Sequence, residues 1–470
     1  MGGSRTGSVI TGALHLDLDR DRPVALHRQI ETAIRDAIRS GRLPLGAALP
    51  STRTLSADLG VSRGTVVEAY QQLTAEGYLS SRGGGYTYVA AGARPPRPTP
   101  RPAPPSRPRI DFGYGRADVS SFPRAAWLRS VRRVLNDAPG DRLGYLNGRG
   151  SPELRDALSG YLNRVRGTDI DPDHMVICSG FAQGVSLVLH AAAARGARRL
   201  AVEDPTSQDA VQVARALGLQ VVGIPVGEDG ADVAALAASD ADVVVLTPSH
   251  QWPLGAVLPP ESRAAVIEWA VRRGALVVED DYDAEYRYDR APIGAMQGLA
   301  PDHVVHAGSV SKTLAPGLRL GWLAVPHDLA DAVADAKILA DRGSSSIEQL
   351  ALADFLERGE LDRHLRRMRP VYRRRRDVLL AALRERLPDL EPTGVSAGIH
   401  LVAWLPPDLD EESVIAAARA RGVGIAGLRP HRMSPAGRDA LIFGYSSIGE
   451  RAIAEGVALV AEAIADVRGR

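Results

Sequence analysis

Apolar residues along the chain repeat with two different periods. Leu26, Ile30, Ala33, Ile34, Ala37 and Ile38 recur at intervals of one helical turn, and Gly41 follows them. That spacing predicts an amphipathic helix ending near Gly41. The stretch LPSTRTLSADLGVSRGTVVEAYQQLTAEGYL then predicts a short helix capped by Ser51, a turn at Gly60, and another helix capped by Ser62 that ends at Gly77. Leu55 and Leu59 of the shorter helix are expected to face Val67, Tyr70 and Leu73 of the longer one. Two short strand-like runs flank Gly83, Gly84 and Gly85 in YLSSRGGGYTYVA, which is the pattern of a hairpin.

Beyond residue 110 the pattern changes. Apolar runs at 200–202, 243–246, 276–278 and 304–306 alternate with longer helical patterns such as 262–273. Alternation of this kind predicts an α/β domain with a buried, mostly parallel sheet and right-handed crossovers. Between the two patterns, residues 94–109 read RPPRPTPRPAPPSRPR without an acidic side chain. Such a segment is an extended spacer, reaching at most about 45 Å at roughly 3.1 Å per residue. The expected organisation is a helical head over 23–92, a linker over 93–109 and an α/β domain over 110–470.

Hydrophobic residues make up 45% of the chain and charged ones 24%, so disorder is expected only locally. The formal net charge is +1, which means that any nucleic-acid surface must be confined to one part of the molecule. Cys178, the single cysteine, cannot form an intrachain disulfide, and a reducing compartment, the cytoplasm, is expected. No run approaches the roughly 18 apolar residues of a membrane span, and no membrane partner is expected. Residues 1–22 lack the apolar core of a secretion signal and read as a flexible leader. Of 57 lysines and arginines, only Lys312 and Lys337 are lysines. A lysine inside a glycine- and serine-rich motif therefore invites a role that only a primary amine can fill.

Three helices followed by a hairpin make a winged helix-turn-helix, whose third helix can enter the major groove of DNA. Residues 23–89 resemble the GntR class of winged-helix regulators over nearly the whole motif. The resemblance implies a double-stranded DNA operator as partner. It brings Arg53 and Arg63 at helix starts, and Arg82 and Gly84 in the wing, to one surface. Guanidinium groups there can grip phosphate or read guanine edges, while the hydroxyls of Ser51, Ser62 and Thr65 and the helix amino-termini suit phosphate oxygens.

The segment GSVSKTLAPGLRLGW, residues 308–322, follows a strand-like run. It resembles the Schiff-base lysine motif of fold-type I aminotransferases, which use pyridoxal 5'-phosphate. Joined to a GntR-type head, it resembles the MocR-type branch of that regulator class, and the likeness runs from about residue 111 to the end. In these terms Lys312 forms the imine with the cofactor aldehyde, and Ser309 and Arg319 hold its phosphate. Asp280, at the end of the run in ALVVEDDYD, faces the pyridine nitrogen and Tyr282 the phenolic oxygen. The acidic cluster Glu279, Asp280, Asp281 and Asp283 could instead bind a metal, but it has no histidine or loop spacing to support that. ICSGFAQGVSLVL supplies a strand, a turn at Gly180 and a helix start, so the amides of Gly180, Phe181 and Ala182 suit the phosphate. In GYLNGRGSPELRDALSGYL, Tyr145 matches a tyrosine that reaches the neighbouring subunit's phosphate, which implies a homodimer.

The chain departs from the aminotransferase pattern in three places, one of them after Glu203-Asp204-Pro205, where Thr206, Ser207, Gln208 and Asp209 follow instead of an aromatic residue that approaches the ligand. Where those enzymes carry an asparagine, TPSHQWPLG has Trp252, and His250 is the residue that could compensate for the lost amide. The carboxylate-binding arginine near the carboxyl end is indistinct, with Arg429, Arg432 and Arg438 as candidates and Arg429 and Arg438 carried forward. The reading is a regulator that senses a small amine, an amino acid or the cofactor itself at Lys312. The alternative is a working aminotransferase with an accessory DNA-binding domain.

Overall fold

A computed structural model describes residues 7–11, 14–82, 86–90, 108–288, 293–434 and 437–469. The wing glycines, Gly84 among them, the side chain of Arg82 and linker residues 93–107 lie outside the described residues. Contacts group the chain into two units, Met1–Pro105 and Ser106–Arg470.

In the first unit, helices Leu26–Arg39, Thr52–Leu59 and Arg63–Ala75 precede the antiparallel strands Leu79–Arg82 and Tyr86–Val89. The strand Ala48–Leu49 adds a third member against Tyr86–Val89. Ser51 and Ser62 cap their helices by accepting hydrogen bonds of 3.1 Å from the amides of Thr54 and Thr65. Each bond satisfies one of the amides that a helix start leaves without a partner. Gly60 closes the intervening turn at φ +61°, a conformation glycine adopts without steric cost. Ile30, Ile34, Ile38, Leu55, Leu59, Val66 and Leu73 form the buried centre of this unit.

Two expectations for the head change. Val66, not Val67, completes the stripe with Ala69, Tyr70 and Leu73, because 66 lies three and four positions before 69 and 70 and seven before 73. The leader is not a bland tail either. Strands Gly7–Thr11 and Leu14–Leu18 pair as an antiparallel hairpin, and Leu16 and Leu18 are buried in the head's core. Leucines at 14, 16 and 18 alternate with polar residues, the period-two signal of a half-buried strand.

The second unit is built on an eight-stranded sheet. Its order is Gly230–Ala231, Gln220–Gly227, Arg199–Asp204, Val243–Leu246, Leu276–Asp280, Val304–Ser309, Gly321–Ala324 and Met175–Cys178. The strands from Gln220–Gly227 to Val304–Ser309 run parallel, while Gly321–Ala324 is antiparallel to both of its neighbours. Successive residues of one strand enter different cores: Val243 and Val245 join one apolar cluster, Val244 and Leu246 another. Both faces are thereby covered, which is why the strands read as unbroken apolar runs. A smaller antiparallel sheet of Glu391–Thr393, His400–Trp404, Ala440–Gly444 and Ala426–Gly427 follows. Among the described residues no helix is long and apolar enough to cross a membrane.

Candidate functional site

The carboxyl ends of Leu276–Asp280 and Val304–Ser309 lie side by side, with Asp280 paired in register to Ala307. Lys312 follows the second strand by three residues, and its Nζ donates to the carbonyl of Gly115 at 2.7 Å. Burial lowers the pKa of this ammonium, and it outweighs the opposing field of Asp280, Asp283 and Asp209. The result is an amine that gives up its proton more readily than an exposed lysine. Burial likewise raises the Asp280 carboxyl well above the usual range, with Lys312 pulling the other way. Among the described residues Asp280 accepts no side-chain hydrogen bond, so its oxygens are left for another donor.

A second group of residues meets where the strands Val304–Ser309 and Met175–Cys178 end and Gly321–Ala324 begins. Ser309 pairs in register with Gly321, and Gly321 with Cys178, which leads into Gly180. A Cβ on Gly321 would come within 2.6 Å of the Gly180 Cα, so the two backbones touch. Gly180 sits at φ +99° and opens the helix Phe181–Ala194, which has no side-chain cap. Arg319 lies beside this helix start: a Cβ on Gly180 would be 3.5 Å from its Nη1. Among the described residues the Arg319 guanidinium has no protein acceptor. Uncapped amides of Phe181 and Ala182 and the Arg319 guanidinium thus lie at one end of the sheet, with Ser309 reached through the strand register, and among the described residues no protein anion pairs with the guanidinium. Phe181 itself is half-buried against the apolar core.

His250 and Tyr282 are also adjacent. The Tyr282 hydroxyl lies 2.9 Å from His250 Nδ1, which is 3.1 Å from an Asp283 oxygen. Trp252 packs against Tyr114 and His400 at ring-centroid distances of 4.7 and 4.5 Å, so the departure from asparagine builds an aromatic wall.

The acidic cluster disperses, because alternate strand residues point to opposite faces. Glu279 accepts from the amides of Met296 and Gln297. Asp281 is clasped by Arg166, whose Nε and Nη2 donate at 2.7 and 2.9 Å, and by His306 Nε2 at 3.1 Å. Sequence reading missed Arg166, since 115 residues separate the pair and nothing local marks it. It also missed the setting of Lys337, which is fully buried and donates to Asp341 and Ser344. Asp341 in turn accepts from Gln183, whose side chain holds the amide of Ser179 beside the Gly180 turn.

The proposed carboxylate receptors are differently placed. Arg429 donates to Asp410 and Asp439 at 2.8 and 2.7 Å, and Arg438 to Glu391 and the Leu405 carbonyl at 2.6 and 2.9 Å. Arg432 lies 3.9 Å from Asp439. Both residues carried forward are thus already committed to protein acceptors. Tyr145 is 94% exposed.

On the head, Arg53 and Arg63 are exposed at the starts of their helices. Arg63 Nε lies 3.4 Å from Thr52 Oγ1. The Thr65 hydroxyl is 2.8 Å from that of Ser62, and the Ser51 hydroxyl 2.7 Å from that of Thr54, so these oxygens edge the same helix starts.

An uncapped helix start, a half-buried lysine and an aspartate at a strand end define a fold-type I aminotransferase-like domain, here following a winged helix-turn-helix. The aminotransferase class I and II family matches residues 110–438, and the gntR family of bacterial regulatory proteins matches residues 26–89. A probable rhizopine catabolism regulatory protein, MocR, of Rhizobium meliloti is 34% identical, covering 94% of each chain. The pyridoxine biosynthesis transcriptional regulator PdxR of Corynebacterium glutamicum is 30% identical over 96% of this chain and 98% of its own. Among solved structures, the α-aminoadipate aminotransferase LysN of Thermus thermophilus, complexed with N-(5'-phosphopyridoxyl)-L-leucine, covers 77% of this chain and 93% of its own at 25% identity and a TM-score of 0.70. The chain belongs to the MocR-type branch of the GntR family: it is a DNA-binding transcription regulator with an aminotransferase-like domain.

Proposed function

We propose that the large domain holds pyridoxal 5'-phosphate at Lys312, and that a small amine or amino acid, or the cofactor itself, sets the affinity of the head for its operator. The observation that carries this reading is the pairing of a half-buried Lys312, whose pKa desolvation lowers, with an Asp280 that among the described residues accepts no side-chain hydrogen bond. The residues present fit the group. Arg319, Ser309 and the amides after Gly180 supply donors for a phosphate. Asp280 supplies an acceptor for a protonated ring nitrogen, and Tyr282 a hydroxyl for the phenolic oxygen.

When bound, the cofactor supplies an aldehyde that combines with primary amines. Lys312 presents the amine, desolvated and directed at the Gly115 carbonyl until it is needed. An effector amine competes with Lys312, and its differential affinity for two states of the protein is what shifts DNA binding. Tyr145, exposed in the single chain, serves a second copy in a homodimer, and the regulator works on cytoplasmic DNA. Arg429 and Arg438 are engaged by protein carboxylates, which leaves Arg432 among the candidates for an effector's carboxylate.

The test is absorbance paired with gel shifts. Wild-type protein given the cofactor should show a visible band that borohydride fixes covalently, and Lys312→Ala should lose both while still binding its own upstream DNA without responding to amines. Lys337→Met should keep both signals. A band that survives Lys312→Ala and disappears in Lys337→Met overturns the reading.

A further inference from the structure

His250 stands between Asp283 and Tyr282. Its Nδ1 lies 3.2 and 3.1 Å from the two Asp283 oxygens and 2.9 Å from the Tyr282 hydroxyl. One ring nitrogen cannot donate to the carboxylate and accept from the phenol at once, so two arrangements exclude each other. An ionised carboxylate offers only lone pairs. A bare Nδ1 facing it would be repelled, and with His250 and Asp283 side chains 3% and 1% exposed, water cannot relieve the conflict. Nδ1 therefore carries the hydrogen and gives it to Asp283, and the Tyr282 hydroxyl keeps its own.

The ring is held in that orientation. A Cβ on Gly398, at φ +75°, would lie 2.1 Å from His250 Cε1, and one on Gly255 would lie 3.2 Å from Nε2, so both glycines press on the imidazole. We propose that Asp283 and His250 are positioning residues that lock Tyr282 as a hydrogen-bond donor toward the phenolic oxygen of the cofactor, in place of the asparagine amide that Trp252 displaces. This rests on the cofactor reading above. It changes the part given to His250: the imidazole acts through Tyr282 instead of reaching the oxygen itself.

The surrounding charges are few. Asp280, Asp283, Glu203 and Tyr445 face Tyr282. His400, at the start of the His400–Trp404 strand of the smaller sheet, faces His250 with its ring 5.3 Å away, and Lys312 and His431 act on His400 in turn. Burial keeps the His400 imidazole from taking a proton, so it adds no charge to the group.

The experiment follows the pH midpoint at which the visible band of the cofactor-loaded, full-length protein changes form. A donor at the phenolic oxygen stabilises negative charge there, so losing the donor makes the site hold its proton to higher pH. Tyr282→Phe should raise the midpoint by roughly one pH unit, a tenfold change in proton affinity. Asp283→Leu should raise it too, because the freed Nδ1 then draws the tyrosine hydrogen to itself. The double variant should rise no further than Tyr282→Phe alone. His250→Asn keeps an N–H toward Asp283 without a bare ring nitrogen and should stay near the wild-type midpoint.

The opposite sign overturns the proposal. If Asp283 acted only as a nearby negative charge, removing it would lower the midpoint, and its effect would add to that of Tyr282→Phe. If Asp283→Leu does not fold, Asp283→Ala takes its place, and a midpoint below that of the wild type refutes the lock. His250, Asp283 and His400 also bring ligand-type atoms within 4.8 Å of one another, so stoichiometric metal at this cluster in the purified protein overturns the proposal as well. A wild type without a visible band, or a band that survives Lys312→Ala, removes the cofactor reading itself.

Discussion

Replacing Arg166 with methionine tests the buried ion pair at Asp281, the residue that follows Asp280. The Arg166 and Asp281 side chains are 2% and 3% exposed, and the guanidinium also donates to Ser249 Oγ at 3.1 Å and to the Ile293 carbonyl. Methionine fills the volume but leaves Asp281 with His306 alone, at 3.1 Å. Breaking a buried pair from one side costs about 3–5 kcal/mol, because the remaining charge is neither solvated nor compensated. Removing both charges, in Arg166→Met with Asp281→Leu, should leave the Ser249 and Ile293 acceptors, which the single variant orphans as well, and His306 Nε2 without a partner, but no buried uncompensated carboxylate; a buried polar group left unsatisfied costs about 1–3 kcal/mol. The double variant should therefore be the more stable of the two.

All five tryptophans lie in the large unit, so fluorescence-monitored urea unfolding reports on that unit without interference from the head. Protonation gives a second reading. Burial alone would raise the Asp281 carboxyl, but Arg166 and His306 more than reverse it and hold it below the ordinary value. Its stabilising contribution is complete above the unfolded carboxyl value near 3.9 and is lost as pH falls through the lower folded value. Without Arg166 the same carboxyl is raised, so the variant is relieved by protonation first, and its deficit should narrow as the medium is acidified. Equal stability of Arg166→Met and wild type, or a double variant no better than the single one, would refute this account.

Arg63→Ala should weaken operator binding by roughly 1–3 kcal/mol if the guanidinium reads a base, with the cofactor band unchanged; gel-shift titration measures it, and wild-type affinity rejects the assignment. Leu16→Ala should destabilise the head by about 2–5 kcal/mol, seen as operator binding lost at lower temperature while the tryptophan unfolding curve stays in place. The fragment over 109–470 should sediment as a cofactor-loaded dimer, and a cofactor-loaded monomer would contradict a role for Tyr145 across a subunit boundary.

Taken by itself, the sequence determined what depends on near neighbours. Serine caps at 51 and 62, the turn glycine at 60 and the continuous apolar strands are set by hydrogen bonds and packing within a few residues, so their pattern is written locally. Lys312, Asp280 and Gly180 were legible because each sits in a short motif at a strand end. The alternation of Leu14, Leu16 and Leu18 is equally local, a period-two signal of a strand only five residues long. What only the tertiary structure decided are relations between distant segments. Arg166 meets Asp281, His250 meets Asp283, and Arg429 is taken by Asp410 and Asp439, because a parallel sheet with crossovers brings strand ends together that are far apart in the chain. Whether a buried charge is paired, and which face of a tyrosine a histidine touches, depends on that packing, and no periodicity in the sequence carries it.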